Sequence, residues 1–157
     1  MGRLAIDIVE PAPQWRQALP DVALLVERAA RAAMVAAEGA VADSEVSVVL
    51  ADDAMQRALN RRWRGRDAPT NVLSFASGER PLLGDVVLAY ETVAREAGEQ
   101  GKSLADHLAH LVAHGVLHLL GYDHEAPHEA EAMEALERRA LAGIGVADPY
   151  RGEGAHG

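Results

Sequence analysis

Between residues 104 and 124 the chain reads LADHLAHLVAHGVLHLLGYDH, and this stretch limits the folds open to it more than any other. His107, His110, His114 and His118 follow one another at steps of three, four and four residues, with apolar side chains between them. On a helix such steps keep the four imidazoles on one narrow face. The segment therefore reads as a helix over 103–120, and Gly121 supplies the residue that permits a left-handed turn at its C-terminus.

A rise of about 1.5 Å per residue puts helical neighbours four apart about 6 Å apart along the axis, and His110 and His118 about 12 Å apart. One metal ion can be gripped from two successive turns, not three. A third ligand must come from beyond the helix, and the turn at Gly121 swings His124 back towards His114 and His118, which completes HxxxHxxGxxH. A lone HxxxH pair is more often a surface pair; the helix-breaking glycine and the third histidine turn it into a three-imidazole cup. Three neutral imidazoles suit zinc, one ion per chain, or another divalent transition metal. Three protein ligands leave a fourth position open, as in catalytic rather than structural sites. His107 and His110 are read as surface residues or as partners that orient a ligand, and His128 as part of the next helix's first turn.

The same spacing occurs in metzincin proteases, which carry Glu directly after the first histidine as general base. This chain has Gly115 there, so peptide hydrolysis loses its proton acceptor. Asp123, beside His124, is the nearby acid, either as a partner orienting an imidazole or in a catalytic role.

A chain of 157 residues fits one domain, and the absence of cysteine leaves histidines and carboxylates as the metal donors. The N-terminus lacks a basic region followed by an apolar one, and no apolar run approaches the roughly twenty residues of a membrane helix. The expectation is a cytoplasmic protein with no membrane partner. A net charge of −9 argues against a surface coated in positive charge for nucleic acid, and DNA is not expected as a partner. Yet RALNRRWRGRD gathers Arg57, Arg61, Arg62, Arg64 and Arg66 within ten positions. Arg57, Arg61, Arg62 and Arg66 read as a solvated helix face, and Trp63 as core.

Alternation predicts strands at 3–10, 45–51, 71–77 and 85–90, with the turn-prone GERPLLG between the last two. Helical spacing predicts helices at 15–38, 52–64, 91–100, 103–120 and 127–142. The fold class is α+β: a single domain, residues 1–147, with a mixed sheet of about four strands packed by helices and the metal site at the end of a helix in the C-terminal half. Residues 148–157, with the glycine-rich RGEGAHG, read as a disordered tail.

HGVLHLLGYDH resembles the signature of the YbeY-type endoribonuclease family of ribosomal RNA maturation factors, and RGRDAPTNVLSF followed by LLGDVVLA resembles that family's central segment in the same order. The resemblance runs from EVSVVLAD to DPY; the first forty residues match in layout alone, and Ala76 stands where the family usually has proline. It implies a zinc-dependent, single-strand-specific endoribonuclease that acts in ribosomal RNA maturation, at the 3′ end of the small-subunit RNA, and in ribosome quality control. Its partners would be single-stranded RNA, ribosomal RNA and ribosomal subunits. His114, His118 and His124 correspond to the metal ligands, His114 thereby belonging to the catalytic centre, and Arg64 to the family's functional arginine. An arginine can bind phosphate oxygens in bidentate fashion, which gives a basic segment a purpose in an acidic chain. A small metal hydrolase such as a metallopeptidase, and a noncatalytic RNA-binding assembly factor, are the alternative readings.

Overall fold

The computed structural model describes residues 3–37, 43–65, 70–79, 81–122 and 126–150, except for the side chain of Arg64. Within them lie β1 (Leu4–Val9), α1 (Gln14–Ala18), α2 (Val22–Ala36), β2 (Ser44–Ala51), α3 (Asp53–Arg64), β3 (Val72–Ala76), β4 (Leu82–Ala89), α4 (Tyr90–Gln100), α5 (Leu104–Leu119) and α6 (Pro127–Ala142). The strands form one mixed sheet in the order β1-β2-β4-β3, with β1, β2 and β4 parallel and β3 antiparallel to β4. The chain thus adopts the α+β architecture and the four-stranded mixed sheet that its sequence predicts.

Successive side chains of a strand leave opposite faces of the sheet. Val46, Val48 and Leu50 of β2 and Val86 and Leu88 of β4 accordingly share one face, where they join α2, α5 and α6 in the main core. The opposite face carries a smaller cluster of Ala51, Leu73 and Val87, with Val49, Leu59 of α3 and Phe75 against it. Helix α3 docks there through polar groups. Gln56 and Asn60 are buried; Gln56 Nε2 donates to the Val87 carbonyl at 2.9 Å, and its Oε1 accepts from Thr70 N at 2.8 Å. The N-termini of α3 and α4 cap each other. Glu91 accepts from Asp53 N at 2.9 Å, while Asp53 accepts from Thr92 N at 3.0 Å and Thr92 Oγ1 at 2.9 Å. Carboxylates at helix N-termini satisfy amides that have no helical partner.

Gly115 sets the approach of α5 to the sheet. A Cβ there would lie 2.7 Å from Val86 Cγ1 and 3.2 Å from Ser74 Oγ, so only a residue without a side chain allows this packing. Ser74 Oγ also donates to the Gly115 carbonyl at 3.3 Å.

Four expectations need adjustment. The helix expected over 15–38 is two helices, because Pro20 disfavours helical backbone at the residue before it: Leu19 takes φ −132° and ψ 90°. Strand β4 starts at Leu82 rather than 85; Gly84, which made the segment look like a turn, sits inside the strand at φ +149°. Trp63 is not core but 64% exposed, with the Arg62 guanidinium 5.1 Å above its ring. It lines an open groove together with Leu59 and Phe75. Residues 148–150, assigned above to a tail, are tied to the body: Lys102 Nζ donates to the Pro149 carbonyl at 3.2 Å and Tyr150 N to Asp148 at 2.8 Å.

Candidate functional site

Helix α5 begins at Ser103, whose side chain caps Asp106 N at 3.1 Å, and delivers the histidine stripe along its length. Its C-terminus closes as the sequence expects. Gly121 N donates to the His118 carbonyl at 3.0 Å and Tyr122 N to the Leu117 carbonyl at 3.1 Å, while Gly121 takes φ +104°. These are the two hydrogen bonds of a Schellman turn, and Tyr122 packs on the main core beyond it. His118 lies in the last turn of α5 and His114 one turn before it; both are half-buried.

The stripe divides by chemistry. His107, read above as a surface or orienting residue, is buried at 3% exposure, where Glu96 accepts from its Nε2 at 3.0 Å and from Asn71 Nδ2 at 3.0 Å. Burial lowers its pKa from 6.5, against the opposing pull of Glu96. His107 thus ties α5 to α4 and to the start of β3. His110 and His114 instead converge on one carboxylate, Glu137 of α6. Glu137 Oε1 lies 3.1 Å from His110 Nε2 and 2.9 Å from His114 Nδ1, and Tyr150 Oη donates to Oε2 at 2.6 Å. Glu137 is wholly buried. Burial alone would raise its pKa, but the hydrogen bonds from His110 and His114, together with that from Tyr150, bring it down to about 2. A carboxylate only accepts, so both imidazoles present N–H groups to it.

His128 stands in the first turn of α6, largely exposed. His124 and Asp123 lie outside the described residues, as does Arg66, and for Arg64 the backbone alone is described, at the end of α3 before Gly65 with φ +70°. Among the described residues no group of three metal-capable side chains is placed to hold a metal ion; of the three proposed ligands the structure describes His114 and His118, on successive turns. Their chemistry fits a metal. With Nδ1–H of His114 committed to Glu137, Nε2 is the ring nitrogen able to ligate, the arrangement that metal-binding histidines usually show. Arg57, Arg61 and Arg62 are exposed and line an open cleft along α3.

Comparisons with known proteins extend this geometry. Residues 14–145 match the family model described as Endoribonuclease YbeY. The proteins named Endoribonuclease YbeY from Paramagnetospirillum magneticum and Methylocella silvestris are similar to this chain. The first is 54% identical, with 94% of each chain covered. The second is 53% identical, with 93% of this chain and 85% of the relative covered. The solution structure of TM1509 from Thermotoga maritima superposes with a TM-score of 0.62 at 25% identity, covering 88% of this chain and 91% of that one. The fold, a helix-borne histidine pair against a mixed sheet, and the sequence agree on one class. The chain belongs to the endoribonuclease YbeY family.

Proposed function

We propose that the protein is a zinc-dependent, single-strand-specific endoribonuclease of the cytoplasm. Its substrate is ribosomal RNA within ribosomal subunits, at the 3′ end of the small-subunit RNA, and it serves ribosome quality control. The observation that carries the activity is the family match across residues 14–145. In favour of a metal stands the 2.9 Å contact between His114 Nδ1 and a buried carboxylate.

His114, His118 and His124 would hold the ion, and bound zinc supplies Lewis-acid polarisation of a phosphoryl oxygen or activation of water. The chain's own groups do the rest. Glu137 keeps the His114 proton at Nδ1. Arg64, at the end of α3, would bind the phosphate oxygens through its planar fork and stabilise the charge that develops on them. Arg57, Arg61 and Arg62 would draw in the strand through its phosphates. The absence of a protease-type glutamate is built into the packing, since a side chain at Gly115 would strike Val86.

The test is product analysis with the purified protein, zinc and end-labelled single-stranded RNA. Internal cleavage that a chelator abolishes is the expected result, with Arg64→Ala slower by roughly two orders of magnitude or more and unchanged in zinc content. RNA bound but left intact with zinc and with other divalent transition metals would replace this reading by that of a noncatalytic assembly factor.

A further inference from the structure

We propose that Glu137, clamped by Tyr150, is the positioning residue of the metal centre: it holds His114 in the tautomer that offers Nε2 to the ion. This deepens the zinc reading above and rests on it for the identity of the ligand.

The geometry is over-determined. Glu137 Oε1 accepts from His114 at 2.9 Å and from His110 at 3.1 Å, and its other oxygen accepts from Tyr150 at 2.6 Å, so both oxygens are fixed and the carboxylate cannot swing away. His110 Nε2 also lies 3.2 Å from Tyr150 Oη, which closes the cluster into a ring of three partners around one acid. Tyr150 is itself pinned, with its backbone N–H on Asp148 at 2.8 Å and the Arg138 guanidinium 5.3 Å from the centre of its ring. The C-terminal Asp148–Pro149–Tyr150 segment is thereby a strap that ends on the acid behind His114. A merely structural carboxylate would need partners but no particular imidazole nitrogen; this one takes Nδ1 of His114. Imidazole in water favours the proton on Nε2, so the hydrogen bond reverses an intrinsic preference. Carboxylates in this position behind metal-binding histidines fix ring orientation and raise basicity, and their loss typically weakens metal binding about 10–100-fold.

The experiment uses the full-length chain and two readouts. Long-range proton–nitrogen spectra of the metal-free protein, with His114 assigned by comparison with His114→Ala, report which ring nitrogen carries the proton. Competition with a chromogenic chelator reports zinc affinity for wild type, Glu137→Gln, Tyr150→Phe and His118→Ala. Wild type should show His114 protonated at Nδ1. Glu137→Gln, which keeps the shape but removes the charge, should weaken zinc by about 10–100-fold. Tyr150→Phe, which leaves His114 untouched, should weaken it by a smaller factor. A wild-type His114 protonated at Nε2, or wild-type zinc affinity in a folded Glu137→Gln, overturns the proposal. Should His118→Ala bind zinc as tightly as wild type, the zinc reading fails instead, and the metal-free spectrum still decides whether Glu137 sets the tautomer.

Discussion

One face of the sheet is sealed by three helices, and side chains of its central strands β2 and β4 are buried there, among them Val46, Val48, Leu50, Val86 and Leu88. The other face carries α3 and a small cluster, and beside it runs an open groove of about 480 Å³ in which Val49, Leu59, Trp63, Phe75 and Asp85 meet solvent or half-meet it. Both faces bear a helix rich in one functional residue type, histidine on α5 and arginine on α3, yet the two are anchored by opposite means. Helix α5 is seated by apolar contact and by a glycine that lets it approach Val86 closely. Helix α3 is held by the hydrogen bonds of Gln56 and Asp53, and Arg57, Arg61 and Arg62 stay outside. The difference follows from what each residue type must do. Ligating nitrogens have to be fixed to a fraction of an ångström, which needs a packed layer behind them. Cations that meet a polyanion act over a Debye length of about 8–10 Å and need no such precision.

If that contrast is right, the largest effect of a minimal substitution should come from the sealed face at Gly115. Adding one methyl by Gly115→Ala places a carbon 2.7 Å from Val86 Cγ1, and overpacking of this kind costs about 1–3 kcal/mol. Denaturant unfolding should show it as a lowered midpoint with unchanged slope. A fully stable Gly115→Ala would mean that α5 can lift off the sheet freely and that no rigid layer stands behind its histidines.

A second, pH-dependent effect belongs to the same face. Burial depresses the pKa of His107 from 6.5, so the unfolded chain takes up a proton at higher pH than the folded one does. The stability that neutral His107 contributes is fully present above about 6.5 and is lost as pH falls through its lowered folded value. Unfolding free energies measured from about pH 7 down to about pH 5 should decline for wild type, and the decline should be shallower in His107→Leu. Equal slopes in the two proteins would show that His107 is solvated as readily as the arginines of the other face.

The sealed face was also the more legible in the sequence. The spacing of His107 to His118 and the glycine at 121 are local facts that helix geometry converts directly into a face and a turn, and the Schellman hydrogen bonds at Gly121 and Tyr122 bear that out. Glu137 escaped notice because α6 is crowded with acids at 129, 131 and 134. Its signal was positional: it follows Met133 by four residues and precedes Ala140 and Leu141 by three and four, so it belongs to the buried stripe of α6. An acid on an apolar stripe needs donors, and the histidines of α5 are those donors. Tyr150 could not be seen this way, since its contact with Glu137 depends on how the chain returns after α6. On the open face the hydrophobic pattern misled. Trp63 reads as core but is exposed; Leu59 packs on the small cluster, while the buried residues of α3 are the polar Gln56 and Asn60, and the partners of Gln56, the Val87 carbonyl and Thr70 N, lie outside that helix. Three-dimensional pairing, which local spacing does not encode, decided which residues of that helix are buried.

Trp63 gives the smallest and most discriminating effect. The chain has two tryptophans: Trp15, fully buried with its Nε1 donating to the Ala51 carbonyl at 2.8 Å, and Trp63, 64% exposed. Removing a buried indole costs about 3–5 kcal/mol, whereas a surface substitution away from special features usually stays within about 0.5 kcal/mol. Trp63→Ala should therefore unfold at the wild-type midpoint while losing the fluorescence component that a soluble quencher reaches, leaving the shielded emission of Trp15. The two readouts must separate for the open face to be open in solution. If Trp63→Ala costs about 2 kcal/mol or more, or if its removal leaves quenching unchanged, the indole is packed, α3 closes its face as α5 closes the other, and the arginines of α3 are then carried by a rigid layer as well.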